Sequence, residues 1–91
     1  IPGQIDLWAE LDSEIHVVDY KTGSSRYYQK ALKQLSIYTK ALFEMKLLSE
    51  NKKIIHSVIY PVEKTVKKAE FQNFKDFETR LSAEIKALFI G

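Results

Sequence analysis

Residues 16–23 read HVVDYKTG. A β-branched apolar run ends in an acid, an aromatic, a base and then Thr-Gly. Together with Ile15 the run predicts a strand over 15–20 that is apolar on both faces and therefore central in its sheet. Residues two apart on a strand point to the same side. Asp19 and Lys21 thus project together from the strand's carboxyl end, which is where crossover α/β sheets place ligands.

The flanking segments supply the rest of the architecture. Residues 4–11, QIDLWAEL, alternate with period two and predict a strand. Ile5, Leu7, Ala9 and Leu11 are expected to face the core, with Gln4, Asp6, Trp8 and Glu10 on the other side. Asp12-Ser13-Glu14 has turn composition at hairpin length, so the first two strands form an antiparallel hairpin. Thr22–Ser25 breaks the pattern and reads as a loop. Tyr28, Ala31, Leu32, Leu35, Tyr38, Leu42 and Met45 then recur at three and four, predicting an amphipathic helix over about 27–49 with Ser24 or Ser25 as its cap. KIIHSVIY (53–60) predicts a third strand, ended by Pro61. TVKKAEF (65–71) predicts a charged edge strand. Asn73 is placed to cap a last helix in which Phe74, Phe77, Leu81, Ile85 and Leu88 share a face. The order β-β-α-β-β-α makes the first helix a crossover and predicts an α/β fold with a mixed sheet.

Bulk properties bound the function. Ninety-one residues make a single domain (1–91) with a modest core. The absence of cysteine excludes disulfides, thiolate metal sites and iron–sulfur clusters, and fits a cytoplasmic location. No apolar run reaches the ~20 residues of a membrane helix. The net charge of +2 says little about a partner, although lysines crowd 30–46 and 52–68. The chain opens Ile-Pro-Gly without Met, and we expect it to be a fragment of a longer protein.

Asp6 gives Asp19 a partner. A hairpin turn centred on 12–13 pairs residues whose numbers sum to about 25, as 6 and 19 do. Directly opposed residues have Cβ atoms about 4.5–5.5 Å apart. Two carboxylates that close repel unless a cation lies between them. A hard divalent ion such as Mg²⁺ takes one or two carboxylates and leaves its remaining positions to water and phosphate oxygens. Lys21 beside it is suited to orient a water or to offset charge on a phosphate. These are the parts of metal-assisted phosphodiester hydrolysis. The bland alternative is an Asp19–Lys21 ion pair at a strand end with Asp6 unrelated. His16 and His56 read as core histidines. Trp8 reads as cover for a missing neighbour rather than a base-stacking ring. Arg26, with Tyr27 and Tyr28, opens the first helix, where a phosphate would be favoured.

GQIDLW (3–8), HVVDYKTG (16–23) and QLSIY (34–38) occur in order. The combination resembles the PD-(D/E)XK nuclease superfamily, and within it the nuclease domain of bacterial helicase–nuclease recombination enzymes of the RecB and AddB type and related exonucleases. Their pattern is G-x-I-D, a strand ending D-x-K-T-G, and a helix carrying Q-x-x-x-Y. The resemblance implies a restriction-endonuclease-like core in which Asp6 and Asp19 are metal ligands, the Tyr20 carbonyl adds a third oxygen and Lys21 is catalytic. Gln34 and Tyr38, stacked four apart on one helix face, would lie near the active site and the DNA backbone. It further implies Mg²⁺ (with Mn²⁺ able to substitute), DNA as substrate, a role in DNA repair or recombination, and a helicase-like domain or subunit as partner. Ile5 precedes Asp6 where a proline is common in the family. The family's upstream helix, which supplies a further His or Glu, has no counterpart after Ile1. An N-terminally truncated piece would then be weakly active or inactive, and a homodimer could cover the exposed surface. The rival readings are a non-catalytic DNA- or partner-binding domain of the same fold and a plain α/β interaction domain.

Overall fold

Strand β2 (Glu14–Tyr20) lies between β1 (Leu7–Glu10) and β3 (Lys53–Tyr60), and β4 (Thr65–Phe71) closes the sheet beyond β3. The computed structural model describes residues 7–90, with the backbone alone for 88–90. Pairing is antiparallel for β1–β2, parallel for β2–β3 and antiparallel for β3–β4. The mixed sheet follows from helix α1 (Tyr28–Glu44), which carries the chain back so that β3 runs alongside β2. The central place of β2, the bounds of β3 and β4, and the β-β-α-β-β-α order all agree with the sequence reading. Among the described residues no helix is long and apolar enough to cross a membrane.

Both helices cover the same side of the sheet. His56 of β3 meets Thr39 of α1 and the ring of Phe77 of α2 (Phe74–Ile90). Ile15, Val17, Ile54, Val58 and Phe71 from the strands pack beneath Ala31, Leu35, Leu42, Phe43 and Phe77. Among the described residues the opposite side carries no helix, and Leu7 and Val66 are about half exposed there, although Ile55 and Ser57 of the central β3 are buried.

The one-sided cover overturns the predicted core face of β1. Leu7 and Ala9 pair with Val18 and His16, whereas Trp8 pairs with Val17 and packs against the core. Directly opposed residues share a side, so Trp8 faces the helices and Leu7 does not. Leu11 is exposed as well. Ile5, expected on that same face, lies outside the described residues.

The first helix also stops sooner than its apolar stripe. The periodicity runs through Met45, yet α1 ends at Glu44 and Met45 is exposed. Lys46 adopts φ 59°, its N–H donates to the Phe43 carbonyl (2.9 Å), and the Leu47 N–H donates to the Leu42 carbonyl (3.1 Å). This is a Schellman stop with lysine where glycine is usual. At the other end a 3₁₀ turn, Ser25–Tyr27, precedes α1, and Ser24 Oγ accepts from the Arg26 N–H at 3.2 Å. Asn73 caps α2 as predicted, its Oδ1 accepting from the Asp76 N–H at 2.9 Å.

The two histidines divide. His56 is fully buried as expected, but among the described residues only Nε2 finds a partner, Thr39 Oγ1 at 2.8 Å, and Nδ1 has none. Burial among apolar groups pushes its pKa down to about 4. His16, predicted interior, is one-third exposed on the open side and pairs with Glu14 at 3.0 Å.

Candidate active site

The carboxyl end of β2 is built from its neighbours. Asp19 follows Ile15 and Val17 on the helix-covered side and lies across from Val58 of β3. Its carboxylate is therefore carried under α1, and the residue is only 4% exposed. Lys21 continues the same side just past the strand. Its N–H donates to the Ile59 carbonyl at 2.9 Å, which fixes its backbone against β3. The side chain returns to Asp19, with Nζ 3.0 Å from Oδ2. The acid is buried and the ammonium about one-third exposed, so the pair presents its positive end outward.

Beside the pair is a hollow of ≈ 230 Å³ between the loop at Gly23–Ser24, the start of α1 and the end of β3. Lys21, Lys30, Gln34 and Tyr60 line it. Two ties hold its walls. One is the Lys21–Ile59 bond above. The other joins the β3–β4 turn to the 3₁₀ turn: Glu63 accepts from the Ser25 N–H (3.1 Å) and from Ser25 Oγ (2.7 Å). These bonds, side chain first and then backbone, hold the Glu63 carboxyl below its ordinary range.

Tyr60 and Lys30 have no part in the sequence reading of the site. Tyr60 is 2% exposed. Burial raises its phenol pKa; the Lys21 charge pulls it down, while Asp19 and Glu63 push it up. Its position follows from register, because the parallel β2–β3 pairing ends with Tyr20 opposite Ile59. One step further sets Tyr60 beside Lys21. Lys30 lies four residues before Gln34 and so one turn away on the same helix face. That spacing is the signal by which it could have been found.

The remaining expected site residues are dispersed. Gln34 joins Lys21 in the hollow. Tyr38 instead packs against the core. Arg26 is exposed, its guanidinium 5.7 Å from the centre of the Tyr27 ring. Tyr20 turns its side chain to the opposite, exposed side. The hairpin register Leu7↔Val18 to Glu10↔Ile15 is the predicted one, whereas Asp6 lies outside the described residues. Among the described residues no group of three or more His, Asp or Glu is arranged to hold a metal ion. The donor that is present, the buried Asp19 carboxylate, offers hard oxygens of the kind Mg²⁺ or Mn²⁺ prefers.

The family model of the PD-(D/E)XK nuclease superfamily aligns with residues 1–90. No curated protein and no solved structure matches the chain. Superfamily members are typically nucleases that use divalent metal ions. A match over nearly the whole chain, together with a mixed four-stranded sheet carrying an Asp19–Lys21 pair at the carboxyl end of a central strand, places this chain in the PD-(D/E)XK nuclease superfamily.

Proposed function

We propose that the chain is the catalytic core of a Mg²⁺-dependent deoxyribonuclease that hydrolyses phosphodiester bonds, within a repair or recombination exonuclease or helicase–nuclease. The observation that carries this reading is the Asp19–Lys21 pair at the carboxyl end of β2, beside a basic hollow. Continuing the β1–β2 register by one residue would set Asp6 opposite Asp19. Those two carboxylates and the Tyr20 carbonyl would then hold the ion, which supplies Lewis acidity and positive charge at the phosphate when bound.

The chain's own part is to place charge. Lys21 is one-third exposed and already at the mouth of the site. On substrate entry its ammonium would exchange a hydrogen bond with Asp19 for one with a non-bridging phosphate oxygen, where it offsets the negative charge that grows during displacement. Water would attack phosphorus as the bond to the leaving sugar oxygen breaks, and the proton that the water gives up would pass through solvent to that oxygen. No covalent enzyme intermediate is needed.

The ion pair itself favours a second reading, in which Lys21 simply neutralises Asp19 and the domain binds DNA or a partner without cutting. Assays on single- and double-stranded DNA in the parent protein separate the two. Cleavage that needs Mg²⁺, stops with chelator and is lost in Lys21→Ala supports the nuclease. DNA binding with no metal-dependent cleavage supports the second reading.

A further inference from the structure

Every polar side chain lining the hollow beside Asp19 is a potential hydrogen-bond donor. Lys21 and Lys30 bring ammonium groups, Gln34 an amide, and Ser24, Tyr27 and Tyr60 hydroxyls; no carboxylate is among them. Of the two lysines, Lys21 is already paired with Asp19, 3.0 Å away. Lys30 forms no ion pair among the described residues. With Lys21 answered by Asp19, the recess holds one uncompensated ammonium, that of Lys30, among neutral donors; this suits an anion, and phosphodiester oxygens are acceptors only.

We propose that this hollow is a second phosphate subsite, in which Lys30, helped by the Gln34 amide and the Tyr60 hydroxyl, takes the phosphodiester next to the one over Asp19–Lys21. The proposal rests on the nuclease reading for its choice of DNA as ligand. Lysine acts here as a point charge on the backbone, so the contact fixes the strand's position without reading its sequence. Lys30 and Gln34 stand one helical turn apart, and Lys21 is tied to β3. The subsite therefore joins the strand to the catalytic end through two elements that already pack together. A DNA strand held at both phosphates cannot slide by one nucleotide over Lys21.

The test measures binding of fluorescent oligothymidylate in chelator, where nothing is cut, between about 50 and 200 mM salt. Losing one phosphate contact lowers the slope of log affinity against log salt by about 0.7 for a single strand. Lys30→Gln is expected to show that loss and roughly five-fold weaker binding, with an unchanged melting temperature. Lys86→Gln, at the far end of α2, is the control and should keep the wild-type slope. Equal losses in both variants, or a wild-type slope in Lys30→Gln, overturn the subsite. Asp19-dependent cleavage by wild type alongside an unaffected Lys30→Gln removes the subsite and leaves the nuclease standing. A slope loss confined to Lys30→Gln in a protein that never cleaves supports the subsite and sinks the nuclease.

Discussion

Thr39 Oγ1 on α1 lies 2.8 Å from His56 Nε2 on β3, and both side chains are wholly buried. This is a polar bond inside an otherwise apolar layer, with Phe71 and Phe77 edge-on to the imidazole. It makes the fold sensitive to acid. The folded pKa of about 4 lies below the ordinary 6.5, so the unfolded chain binds the extra proton first. The neutral imidazole's contribution is fully present above pH 6.5 and is lost as pH falls toward 4, to a total of about 3 kcal/mol. Urea midpoints are expected to drop between pH 7 and 5, with a smaller drop in His56→Leu. An equal pH dependence in that variant would assign the effect elsewhere.

Asp19 and Lys21 should separate in their effects. Asp19→Asn is expected to abolish Mn²⁺ binding in calorimetry, while stability changes by no more than about 1 kcal/mol, because Lys21 is partly solvated. Lys21→Met should retain the ion yet lose cleavage by about 100-fold or more. If Asp19→Asn binds Mn²⁺ like wild type, the carboxylate has no metal role.

Lys46 at φ 59° occupies a conformation that costs a side chain about 1–2 kcal/mol and glycine almost nothing. Lys46→Gly should therefore stabilise the protein by about 0.5–1 kcal/mol after its greater unfolded-state entropy is subtracted. The readout is a melting temperature raised by roughly 4 °C.

Asn73 and Asp76 cap α2 together, since Asp76 Oδ2 accepts from the Gln72 N–H at 2.9 Å while Asn73 holds the Asp76 N–H. Asn73→Ala is expected to cost about 1 kcal/mol. Faster amide exchange should be concentrated in the first turn of α2.

Much of the site was legible because strands have a simple period. The D-x-K spacing puts Asp19 and Lys21 on one side wherever the strand lies. The short Asp12–Glu14 turn sets the hairpin register before any tertiary contact forms. The helix that carries Gln34 was equally plain. Its end was not, because a helix stops where its last carbonyls find other donors, and Lys46 in that left-handed position carries no glycine signature. Tyr60 and Lys30 were missed for other reasons. Tyr60 reaches Lys21 only through the pairing of β2 with the sequence-distant β3, and Lys30 had no signal but its spacing of one helical turn from Gln34.

From the sequence alone come the order of elements, the pairing of the opening hairpin and the shared direction of the acid and the lysine, all local consequences of side-chain period and turn length. Tertiary structure alone decided that Trp8 rather than Leu7 faces the helices and that Tyr60 stands beside Lys21. Alternation divides a strand into two faces but is blind to which is covered. That choice belongs to α1 and α2, which bury more apolar surface by packing together on one side of the sheet.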